Sequence, residues 1–178
     1  MASAPQLRDE FTAYLDTRGY RYQVVDQANN VVHLGFSSQS SSFVTDIFVD
    51  FDEEPDAEGI ACVHFKAERF ARCSDENVAS VIVRLNDLNA QFRWVKFWLD
   101  KRNNYLNADA DAMIFEGTSA RECLSYVLHV SQIVLRGYEE LGDLVVNVNN
   151  GGGGDGSDDT SPEELMRMID ALKKMLGQ

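Results

Sequence analysis

Four β-rich runs follow one another between Tyr20 and Phe70, and they restrict the fold more than any other feature of the chain. Tyr20 to Val25, Val31 to Phe36, Phe43 to Phe51 and Ile60 to Phe70 are rich in β-branched and aromatic residues. Polar breaks divide them at Asn29 and Asn30, at Ser37 to Ser42, and at Asp52 to Gly59. Strands joined by hairpins, with no repeated βαβ unit, specify an antiparallel sheet.

Helical patterns bracket these runs. Leu7, Phe11, Tyr14 and Leu15 recur at helical spacing after Pro5 and stop at Gly19, which suits a left-handed helix end. Ser74, Asp75 and Glu76 form a helix start, followed by a stripe of Val78, Val81, Ile82, Leu85 and Leu88. Two further strands are predicted, Arg93 to Lys101 and Tyr105 to Phe115. Ser119 and Glu122 then supply a capping-box pattern ahead of Leu124, Val127, Leu128, Val134, Leu135, Tyr138 and Leu141. The expected order is α-β-β-β-β-α-β-β-α, an α+β sandwich with its helices mainly on one face.

Composition changes abruptly after this domain, which is assigned residues 1–146. Residues 147–160, with Gly151 to Gly154 and three aspartates, read as a flexible linker whose r.m.s. reach is roughly 20 Å. Residues 161–178 read as a C-terminal amphipathic helix, opened by Ser161, Pro162 and Glu164 and striped by Leu165, Met168, Ile169, Leu172 and Leu176. So short a helix needs a docking surface to order fully: its own domain, a second copy or a partner. Leu165, Ile169 and Leu172 are its candidate contact residues.

The 178 residues suffice for one core. A formal charge of −13 opposes binding to phosphate backbones and favours basic partners or basic unfolded segments. No apolar run approaches the roughly 20 residues that cross a bilayer, and the first residues lack a secretory signal pattern. These features predict a cytoplasmic protein without nucleic-acid or membrane partners. Cys62, Cys73 and Cys123 are spaced neither as a disulfide framework nor as a zinc knuckle.

The residue types that carry catalysis lack the required spacings. His33 and His64 fall in strands and His129 in a helix, none with a partner nearby in sequence. Asp50, Asp52, Glu54, Asp56 and Glu58 alternate like a calcium loop, but Pro55 and Ala61 occupy the positions that need Gly and Glu. Asp109 and Asp111 share one face of a strand without a third ligand. No phosphate loop, nucleophile elbow or metalloprotease motif is present. No catalytic residue, metal or cofactor is therefore predicted. An enzyme would need a cleft that gathers Asp109, Asp111 or a histidine, and no such cluster is expected.

Strand parity gives a better lead. Val95, Phe97 and Leu99 alternate with Trp94, Lys96 and Trp98, and Ile47, Val49 and Phe51 alternate with Asp46, Phe48 and Asp50. If helices cover the first set, Phe48, Trp94 and Trp98 lie on a half-polar second face suited to partner binding or dimerisation. The alternative is that the first helix or the tail covers that face within the chain.

The segment LDTRGYRY from Leu15, the run LNDLNAQFRWVKFWLDKRNNYL from Leu85 to Leu106, and Tyr126 to Leu141 resemble the YbjN family. That family is described as candidate bacterial sensory-transduction regulators and is similar in fold to type III secretion chaperones. The resemblance spans residues 5 to 142 and carries no catalytic motif. It implies a compact, often dimeric α+β module that holds or regulates another polypeptide. Asn86 and Asn89 read as helix-end or turn residues. A ligand-sensing module that signals through its dimer or tail is the second reading.

Overall fold

In a computed structural model that describes residues 3–26, 30–38, 43–51, 58, 60–115 and 117–148, the first helix, α1 (Ala4–Arg18), begins after Ser3, whose N–H donates to Gln6 Oε1 at 2.7 Å. It ends at Gly19 with φ +73°, where the amides of Gly19 and Tyr20 fold back onto the carbonyls of Asp16 and Leu15. Leu7, Phe11 and Leu15 are buried along one side.

Strands β1 (Gln23–Asp26), β2 (Val31–Ser37), β3 (Val44–Asp50) and β4 (Ile60–Cys73) pair antiparallel in sequence order. Helix α2 (Val78–Gln91) leads into β5 (Lys96–Asp100) and β6 (Tyr105–Phe115), and α3 (Ser119–Leu141) follows. The spatial order is β1-β2-β3-β4-β6-β5, matching the expected α+β class. A final short strand, β7 (Val145–Asn147), pairs with the far end of β4. Sequence patterning did not predict it. Asn147, assigned to the linker, belongs to this strand; the rest of the proposed linker after Val148 and the tail helix with Leu165, Ile169 and Leu172 lie outside the described residues.

All three described helices cover the same face. Val32, Leu34, Ile47, Val49, Val63, Phe65, Phe97, Ala108, Ala112 and Ile114 point beneath them and are buried. α3 crosses β3, β4 and β6, with α1 on one flank and α2 over β5. Phe43, Phe70 and Phe97 form an aromatic row, with centroids 6.4 and 6.0 Å apart. The row requires a glycine on α3, since a Cβ at Gly137 would stand 2.7 Å from the Phe97 ring.

Helix starts depart from the sequence reading in two places. Asp75–Asn77 form a 3-10 turn, so α2 proper begins at Val78, and Ile82 of the expected stripe is exposed. Thr118 rather than Ser119 precedes α3 and donates through Oγ1 to Glu122 Oε1 at 2.8 Å. Ser119 is buried instead and donates to Glu10 Oε2 at 3.0 Å, joining α3 to α1.

β4 carries an irregularity that its neighbours repair. Ala67 faces Ala108 and Ala71 faces Leu106, so β4 spends four residues where β6 spends two. Arg69 adopts φ +52° within this bulge, and its N–H is held by Asn107 Oδ1 at 2.9 Å. β7 continues the line of β3 along β4, and the Asn147 carboxamide bridges the join. Its Nδ2 donates to Val44 O (2.8 Å) and Phe70 O (2.7 Å), while its Oδ1 accepts from Val44 N–H (3.3 Å).

Asn147→Ala strands these three backbone groups and should lower stability by about 1–3 kcal/mol. Urea unfolding would register a lower midpoint with an unchanged m-value. An unchanged midpoint would show that the join does not depend on the carboxamide.

Candidate functional site: the uncovered sheet face

Side chains of the opposite parity project from the face that no described helix covers. Register fixes their order. His64 lies beside Asp50 and Asp111, and Lys66 lies beside Phe48 and Asp109. Trp98 lies beside Asn107, and Tyr105 beside Arg72 and Asp100. At the other end Cys62 faces Met113, and Ile60 faces Phe115. The face therefore grades from apolar at the start of β4 to aromatic and cationic at its end.

Cross-strand pairs organise the middle. Lys66 Nζ donates to Asp50 Oδ2 at 2.7 Å, and His64 Nδ1 sits 2.6 Å from Asp111 Oδ1. Trp98 Nε1 donates to Asp109 Oδ2 at 2.7 Å. His33 Nε2 lies 2.7 Å from Asp46 Oδ1 and stacks on Phe48 at 5.0 Å. Asp50 Oδ1 is buried and has no hydrogen-bond partner among the described residues.

The β4 bulge sends two guanidiniums to one ring. Arg69 and Arg72 stand 5.6 and 5.4 Å from the Tyr105 centroid, and neither has a carboxylate partner among the described residues. Arg69, Tyr105, Asn107, Trp98, Asp109 and His64 help line an open concavity of about 480 Å³.

The predicted surface residues separate. Phe48 and Trp98 do lie on the uncovered face, but two charged strands intervene, putting them about 14 Å apart at the usual strand spacing. Trp94 does not join them. β5 begins only at Lys96, and Trp94 leans onto Tyr126 and His129 of α3, with centroids 5.6 and 6.1 Å away, on the helical side. Met113 (58% exposed) and Phe115 (52%) were missed, and they exceed Trp98 (44%) in exposure. Continuing the alternation of β6 past Asp111 would have found them.

The sequence reading also expected no cleft that gathers Asp109, Asp111 and a histidine, and that expectation fails. Register brings all three to the same concavity. Their pairings nevertheless diverge, with Asp109 engaged by Trp98 and Asp111 by His64. Among the described residues no group of three or more His, Cys, Asp or Glu side chains is placed to hold a metal ion. Burial pushes the Cys123 thiol above its ordinary range, and Cys73 shifts the same way. Asn89, read as a helix-end residue, plugs the outer edge of β5: its Nδ2 donates to Phe97 O at 2.9 Å and its Oδ1 accepts from Phe97 N–H at 2.7 Å.

Comparison with known proteins identifies the fold class. No family profile and no curated protein sequence matches the chain. Among solved structures, the crystal structure of YbjN from E. coli, described as a candidate transcription regulator, superposes with a TM-score of 0.56 at 19% identity. The match covers 78% of this chain and 94% of that one. The chain has a YbjN-like fold. None of the described helices is long and apolar enough to cross a membrane.

Burial raises the Asp109 carboxyl above its ordinary value of 3.8; Asp111 and Glu68 push the same way, against the Trp98 hydrogen bond and Lys66. The folded state thus holds this proton more tightly than the unfolded chain does. The resulting stabilisation is full below pH 3.8 and disappears as pH rises through the folded value. Asp109→Asn keeps an acceptor for Trp98 but cannot ionise, so its stability should gain on the parent across that window. Urea midpoints measured from about pH 3 to 7 test this; a pH-independent difference would contradict it.

Proposed function

We propose that the chain is a non-catalytic regulatory domain that binds a protein partner through the uncovered face of its sheet. One observation carries this reading: Met113, Phe115 and Trp98 stand exposed on a sheet whose other face packs beneath the three helices from β2 to β5. Exposed aromatic and methionine side chains on a preformed surface are the composition of interface cores. A net charge of −13 favours a basic partner. The regulator description of E. coli YbjN agrees with such a role.

A cytoplasmic setting and a homodimer fit the same reading. The concavity of about 480 Å³ supports the second reading, a sensor of a small ligand. Trp98 and Tyr105 would flank the ligand, and the Arg69 guanidinium over Tyr105 would attract an anionic group.

Affinity capture with four full-length baits separates these readings: parent, Trp98→Ala, Met113→Ser with Phe115→Ser, and Trp94→Ala on the helical side. A stoichiometric protein held by the parent and Trp94→Ala, but lost from the other two, is the expected result. Equal retention by all four would remove the uncovered face from the account. If no bait retains a protein and the purified chain carries a small molecule, the sensor reading replaces this one.

A further inference from the structure

β5 and β6 differ greatly in length, and the difference leaves part of the sheet open. β5 pairs with β6 only from Lys96 opposite Asp109 to Asp100 opposite Tyr105. From Ala110 to Phe115, β6 has β4 on one side and no strand on the other among the described residues.

Peptide alternation decides which groups face outward there. The N–H and C=O of Phe97 both face Asn89, away from β6, so Lys96, Trp98 and Asp100 are the β5 residues that bond to β6. Their partners Asp109, Asn107 and Tyr105 are odd-numbered. The next odd residues, Asp111, Met113 and Phe115, therefore turn their peptide groups to the open edge. Thr118 N–H takes the Phe115 carbonyl at 3.2 Å. The N–H and C=O of Asp111 and Met113, and the N–H of Phe115, have no partner among the described residues.

Elsewhere comparable gaps are closed, by the Asn89 carboxamide on β5 and by the Asn147 carboxamide between β3 and β7. Among the described residues this edge has no such plug, and residues 110–115 include no lysine or proline to guard it. Its neighbours are instead adhesive. Met113 and Phe115 project on the uncovered side, while the small residues Ala110 and Ala112 form the floor on the helical side. Trp94, 61% exposed, stands just before β5 and leans onto α3.

The geometry points to Ala110–Phe115 as a strand-addition site for an extended basic segment of a partner protein. This rests on the protein-binding reading and gives it a location and a partner chemistry. Main-chain bonds to Asp111, Met113 and Phe115 would supply affinity, and alternate apolar side chains would pack on Met113 and Phe115 or over Ala110 and Ala112. Charge selects the occupant. A second copy would bring its own −13 and a second Asp109 and Asp111 to the junction, whereas lysines or arginines flanking an added strand meet those carboxylates favourably.

The test uses the full chain and a fluorescein-labelled peptide, Lys-Lys-Val-Phe-Val-Thr-Val-Lys-Lys. Two counterparts accompany it, one methylated on its central peptide nitrogens and one with Glu in place of Lys. Fluorescence anisotropy should show binding of the first peptide, with each counterpart weaker by at least about tenfold. Hydrogen exchange at Asp111, Met113 and Phe115 should slow on peptide addition. Met113→Pro, which removes an N–H that faces the edge, should abolish binding. If that variant misfolds, methylation and exchange on the parent chain still decide.

No binding, equal binding of the methylated peptide, or protection confined to Val24 and Val25 on β1 would overturn the proposal. So would protection of the three amides before peptide addition together with a dimer in sedimentation, because a second copy would then own the edge. A partner captured through the uncovered face while the peptide arms fail would refute strand addition alone. Failure of both would remove protein binding itself.

Discussion

The ladder of β4 supports everything else in this domain. Fourteen residues long, β4 pairs with β3 and then β7 along one side and with β6 along the other. A strand this long would splay its neighbours if it stayed regular, and its bulge at Arg69 absorbs the mismatch. That irregularity serves both layers. It buries Phe70 between Phe43 and Phe97 beneath α3, and it directs Arg69 over Tyr105 on the opposite face. Asn107 and Asn147, which seal the two sides of the distortion, belong to strands distant in sequence.

Local patterning revealed the elements that one segment determines by itself. Gly19 ends α1 as its conformational freedom requires, and the parity of Ile47, Val49 and Phe51 against Phe48 correctly separated the two faces of β3. Features that depend on pairing between distant segments were not legible. The His64–Asp111 contact joins residues 47 apart, and β7 consists of three residues whose partners lie on the far end of β4. Trp94 was misplaced by a strand boundary: alternation carried two residues too far, and the ring found Tyr126 instead. Ser119 carries the signature of a cap, yet burial against α1 made Glu10 its partner.

Division of labour between the two faces follows from these packing choices. Helices α1, α2 and α3 consume the apolar residues of one parity, leaving the other free to carry charge pairs, Tyr105 with its guanidiniums, and exposed Met113 and Phe115. Antiparallel sheets tolerate a solvated face, so exposure alone would be unremarked. That face adjoins the edge of β6 that no described strand pairs, and the proposed partner strand would lie along this junction. For the proposed partner, the acidity of the chain favours a basic segment.

Hydroxyl-radical footprinting of the free full-length chain tests the central claim, that one sheet face is clothed and the other open. Met113, Phe115 and Trp98 should oxidise rapidly, while Phe65, Phe70 and Phe97 stay protected until the domain unfolds. Protection of Met113 and Phe115 equal to that of Phe65 in the monomer would mean that another part of the chain covers the face, and would contradict the account.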